Sequence, residues 1–60
     1  SQVHSILEDI PGIGPARRKD LMGYFKDITK IREASVEELM QVPSMNRNAA
    51  EAVYEFFHKE

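Results

Sequence analysis

Ile10-Pro11-Gly12-Ile13-Gly14 decides the reading of this 60-residue chain, because a variant of it, Val42-Pro43-Ser44-Met45-Asn46, returns 32 positions later. The correspondence extends outward at the same offset: Leu7 answers Leu39, Leu21 answers Val53, Met22 answers Tyr54, and Phe25 answers Phe57. Self-similarity at a fixed period marks two copies of one supersecondary unit. Each copy is a short turn between two segments whose apolar residues recur at helical spacing. In the first copy the two glycines run into Pro15-Ala16-Arg17-Arg18-Lys19. A backbone-rich turn that opens a helix beside cationic side chains is an arrangement suited to phosphate.

Upstream of the turn, Ser5 and Glu8 stand at capping-box spacing, which predicts a short first helix with Ile6, Leu7 and Ile10 inward. Pro11 and Gly12 stop it. Ile13 is expected to plug the core, while Pro15 suits the first position of the next helix, where a missing N–H costs nothing. That second helix runs to about Phe25, its stripe being Leu21, Met22 and Phe25, with Gly23 a weak point. Lys26 stands where a closing glycine is common, so a softened helix end is expected. Asp27 or Thr29 starts a connector helix carrying Ile28, Ile31 and Ala34. Ser35 and Glu38 form a second capping box opening a fourth helix with Val36, Leu39, Met40 and Val42, ended by Pro43. The last helix spans about Arg47 to His58, with Ala49, Ala50, Val53, Tyr54 and Phe57 inward and Phe56 partly exposed. The fold class is all-α: five short helices in one domain over residues 1–60, with unit 1 at about 5–25, a connector at about 26–34 and unit 2 at about 35–59.

Sixty residues support one small core. No cysteine is present, which excludes disulfides and cysteine-ligated metal. No apolar run approaches the roughly 20 residues of a membrane span, so no membrane partner is expected. The net charge of −2 argues against bulk electrostatic binding of nucleic acid. A local patch is not excluded, because the distribution of charge counts for more than its sum. The cations Arg17, Arg18 and Lys19 are contiguous, whereas acids gather at Glu37, Glu38, Glu51 and Glu55. The chain opens on Ser1 rather than Met, and it is expected to work as one contact within a larger assembly.

The residues Leu7-x-x-Ile10-Pro11-Gly12-Ile13-Gly14 resemble the helix–hairpin–helix signature, and Leu39-x-x-Val42-Pro43 with Met45 and Ala50 matches it again. With Arg17-Arg18 and the run from Ile31 to Leu39, nearly the whole chain resembles the tandem helix–hairpin–helix domain of the UvrC family, incision subunits of bacterial nucleotide excision repair. That resemblance implies a cytoplasmic, non-catalytic module that binds DNA at junctions or bubbles between double and single strands, beside the nuclease domains of a parent protein. Three departures stand out. Ser44 and Asn46 replace the glycines of the second hairpin, with Asn expected to tolerate left-handed backbone. Arg18 takes the place of a small alanine. Gly23 lies inside a helix.

The site residues expected for DNA are Gly12, Ile13 and Gly14 through their backbone, with Arg17 and Arg18 first among the side chains and Lys19 beside them. The second hairpin offers Ser44, Met45 and Asn46, with Arg47 and Asn48. Replacing both Arg17 and Arg18 with Ala is expected to weaken binding to every sequence and to flatten its salt dependence. The plain alternative is a tight turn with a solvated basic face. A second function class is a protein-interaction domain, either dimerising like the related unit of XPF-type nucleases or resembling a SAM domain; it is motivated by Phe56 and the acidic last helix. No catalytic constellation, cofactor or metal site is expected. His4 and His58 lack partners at ligand spacing, and the glutamates read as solvated charge.

Overall fold

A computed structural model describes residues 6–59, so Ser5, with its expected cap, and His4 lie outside the described residues. Residues 6–8 form a helical turn, α1, followed by α2 (Pro15–Phe25), α3 (Ile28–Glu33), α4 (Val36–Leu39) and α5 (Arg47–His58). No strand occurs among the described residues.

The internal repeat is written in the backbone hydrogen bonds. Amides of Asp9, Ile10, Ile13 and Arg18 donate to carbonyls of Ile6, Leu7, Ile10 and Gly14. At an offset of 32, Gln41, Val42, Met45 and Ala50 donate to Glu38, Leu39, Val42 and Asn46. The fourth helix was expected to reach Pro43, but α4 stops at Leu39. Three-residue bonds carry the chain on to Val42, the tightened geometry that helix ends adopt when carbonyls need partners.

The starts of α3 and α4 follow their capping residues. Asp27 accepts from the Lys30 amide at 3.0 Å, which decides between the two expected starts. Ser35 and Glu38 close a reciprocal capping box, at 3.0 Å and 2.8 Å. The end of α2 is less comfortable. Lys26 caps it in left-handed backbone, φ +73°, and donates its N–H to the Met22 carbonyl. A side chain there is strained. Lys26→Gly should therefore raise stability by about 0.5–1 kcal/mol, read as a thermal midpoint a few degrees higher; an unchanged or lower midpoint would show that the strain is absorbed elsewhere.

Equivalent residues of the two copies meet in one core. Leu7, Ile10 and Leu21 are buried with Leu39, Val42 and Val53, while Ile31 and Ala34 of the connector fill the space between. α4 packs on α5, and α3 touches both α2 and α5. Two expected core residues sit outside: Ile6 is exposed, and so is Tyr54, whose ring stacks on His58 one helical turn later, 4.1 Å between centroids. On α5 the inward face is Ala49, Ala50 and Val53, and Phe56 extends the stripe from Ala49 by two turns. Tyr54 lies about 100° from Val53 and so falls at its edge. Phe56 packs on the core edge-to-face with Phe57, with the Lys59 ammonium 5.4 Å from its ring centre. Phe56, the residue that motivated a protein-docking face, is thus partly exposed, as expected.

Candidate nucleic-acid interface

The first hairpin needs its first glycine for conformation. Gly12 has φ +81°, the left-handed region that L side chains rarely occupy. Gly14 does not: at φ −89° and ψ −171° it is ordinary extended backbone, and a Cβ there would meet nothing within 4 Å. What Gly14 contributes is the absence of a side chain at the N-cap of α2, which has no side-chain cap. Helix N-termini leave their first amides unpaired unless a cap reaches them. Among the described residues the N–H groups of Gly12, Gly14, Ala16 and Arg17 meet no backbone or side-chain acceptor. The Ile13 side chain is buried as expected, but its amide, expected to face phosphate, donates to the Ile10 carbonyl at 3.2 Å. It shapes the hairpin from within.

The second hairpin reaches a similar display by another route. Ser44, in the place of Gly12, does not adopt positive φ. Asn46 does not use its tolerance for left-handed geometry either. It is extended, φ −127° and ψ 179°, and its Oδ1 accepts from the Ala49 amide at 2.8 Å, capping α5. The amides of Ser44, Asn46, Arg47 and Asn48 stay open, whereas Met45 N–H is closed onto the Val42 carbonyl at 3.0 Å. The cap makes the difference between the copies: Asn46 occupies the amide of Ala49, while its counterpart on Arg17 stays free. Ser44 Oγ is buried without a hydrogen-bond partner.

The basic side chains are not equivalent. Arg17 and Arg18 correspond by position to Ala49 and Ala50, both buried in the second copy. Arg17 leans across to the other hairpin, where its Nε donates to the Ser44 carbonyl at 2.9 Å and one terminal nitrogen donates to the Gly12 carbonyl at 3.0 Å. Arg18 turns back toward α1. It donates to the Ile13 carbonyl at 3.4 Å and lies 4.0 Å from the Glu8 carboxylate, its side chain 18% exposed. The two arginines put first from sequence are therefore the two most engaged with their own fold. Lys19 is exposed, beside an open depression shared with Asp20, Gly23, Tyr24 and Pro43. Arg47 is 58% exposed, in a 3.4 Å pair with Glu51 that solvent screens and a phosphate can displace. Asn48 is exposed. Between the hairpins, Gly14, Pro15, Ala16, Arg17 and Ser44 line a second open depression of about 370 Å³.

Ala16 carries an open amide that reading the sequence did not single out; its signal is its place as the second residue of a helix whose N-cap has no side chain. Elsewhere, His58 faces the Arg32 carbonyl at 3.1 Å, and no group of three or more metal-ligating side chains occurs among the described residues. No helix among them is long and apolar enough to cross a membrane.

A family described as "Helix-hairpin-helix motif" matches residues 7–60. The chain is 53% identical over 60 residues to the UvrABC system protein C of Alkaliphilus metalliredigens, covering all of this chain and 10% of that protein. It is 57% identical over 58 residues to the protein of the same name from Lachnospira eligens, covering 97% of this chain and 10% of the relative. For the one from Clostridioides difficile the identity is 52% over 56 residues, covering 93% and 9%. The chain thus spans about a tenth of the length of the curated relatives it matches. No solved structure gives a significant match.

Proposed function

The chain belongs to the helix–hairpin–helix family, and on that premise we propose that it is the non-catalytic DNA-binding module of an excision-repair nuclease. One observation carries the reading. Two hairpins, related by the internal repeat and bridged by Arg17, each present consecutive open amides at the start of a helix. Such amides and the positive end of the helix dipole suit the phosphate oxygens of a nucleic-acid backbone. Contacts of that kind position a protein on DNA without reading bases. Gly14, Ala16 and Arg17 serve one backbone, and Asn46, Arg47 and Asn48 the other. Gly12, Ile13, Ser44 and Met45 shape the two turns. Lys19 and the Arg47 side chain add charge at the rim, and a preference for junctions or bubbles follows from gripping two backbones that diverge. Incision then belongs to other parts of the parent protein.

A fluorescence anisotropy titration with a bubble duplex, at several salt concentrations, tests this. Lys19→Ala combined with Arg47→Ala should lower affinity for every sequence alike. It should also reduce the slope of log K against log salt by about 2, one counterion per lost cation. Sequence-dependent losses, or an unchanged slope, would sink the assignment of these two cations. A stable dimer in light scattering with no DNA affinity would instead favour the protein-interaction reading.

A further inference from the structure

The Arg17 guanidinium is placed oddly for a phosphate ligand. Its Nε and one terminal nitrogen are both committed to main-chain carbonyls, one in each hairpin: Ser44 at 2.9 Å and Gly12 at 3.0 Å. The first of these contacts joins residues 27 apart in sequence. It links the second hairpin to the start of α2. Its position also breaks the repeat, since the equivalent residue in the second copy is the buried Ala49, which cannot reach across. The bridge is therefore built once, from one side.

We propose that the Arg17 side chain is a positioning group that sets the spacing of the two hairpins, while only the Arg17 main-chain amide meets phosphate. This rests on the DNA-binding reading and assigns a different task to one of its residues. One effect follows from the geometry. A planar guanidinium donating in two fixed directions holds two carbonyls at a defined separation, which a lysine ammonium on a flexible stem does not reproduce. Gly14, Ala16, Arg17 and Ser44 line the depression between the hairpins, so a change in their spacing changes the distance between the two sets of amides.

The test separates charge from geometry, and a 60-residue chain is short enough for chemical synthesis. Arg17→Lys keeps the charge and loses the two-directional bridge. Arg17→citrulline loses the charge and keeps Nε–H with one terminal NH₂. Positioning predicts that the Lys form binds a bubble duplex at least tenfold more weakly, while the citrulline form stays within about threefold of the parent. In the DNA-free protein, the Ser44, Met45 and Asn46 amide shifts should move in the Lys form and hold in the citrulline form. The opposite order of affinities makes Arg17 a phosphate ligand and overturns the proposal. Unmoved second-hairpin amides in the Lys form overturn it as well. Circular dichroism melts exclude unfolding as the cause, and the free-state amide shifts of the Lys form are read well below its melting temperature. A parent domain with no affinity for DNA defeats the function itself and the positioning role with it; the free-state shifts then decide only whether the bridge forms.

Discussion

Leu21→Ala is expected to leave the domain largely unfolded at room temperature. Leu21 has no exposed surface and is the only buried residue of α2. Truncating a buried leucine costs about 2–5 kcal/mol, part transfer free energy and part cavity. A domain below roughly 70–80 residues seldom holds more than about 3–5 kcal/mol in total. The loss therefore matches the whole reserve. Val53 fills the equivalent place in the second copy and is equally buried. Its smaller side chain leaves a smaller hole, so Val53→Ala should cost less, about 2 kcal/mol, and lower the melting temperature without abolishing the transition. Circular dichroism melts read both. A cooperative Leu21→Ala transition within a few degrees of the parent would mean that α2 is not anchored through this side chain.

The two glycines of the first hairpin should respond in opposite directions. Gly12→Ala forces an L side chain into φ +81° and should cost about 1–2 kcal/mol. The strain falls on the turn that presents the amides, so DNA affinity should drop together with stability. Gly14→Asn imitates the second hairpin, where Asn46, also in extended backbone, caps its helix. Free space surrounds the position. Stability should rise by about 0.5 kcal/mol, from the added cap and the loss of glycine freedom in the unfolded chain. The new side chain would take the Arg17 amide, and DNA affinity should fall several-fold. A Gly14→Asn domain that gains stability and keeps full affinity would remove the Arg17 amide from the interface. If it loses stability, the capping argument itself fails.

How much was legible can be read from particular residues. The repeat marks Leu7, Ile10, Leu21, Leu39, Val42 and Val53, and all six are buried. Their legibility is physical: burying a helix face is a local, periodic demand, and two copies of one unit state it twice. The capping boxes and turns are local as well, which is why Ser35 with Glu38 and Gly12 could be assigned from spacing alone. Tyr54 resisted because its neighbour His58 offers an aromatic partner at the surface, which hydrophobicity does not register.

By itself, the chain's order of residues determined that there are two hairpins, which helix each one opens, and the six paired apolar side chains at the centre of the core. Only the tertiary structure decided what Arg17 and Arg18 do. Adjacent and alike in sequence, they point to different carbonyls, one across to Ser44 and one back to Ile13. It also decided which amides remain open, since each depends on whether an acceptor comes within reach. Such partners are set by how the two copies pack, and a contact 27 residues apart leaves no trace in any local pattern.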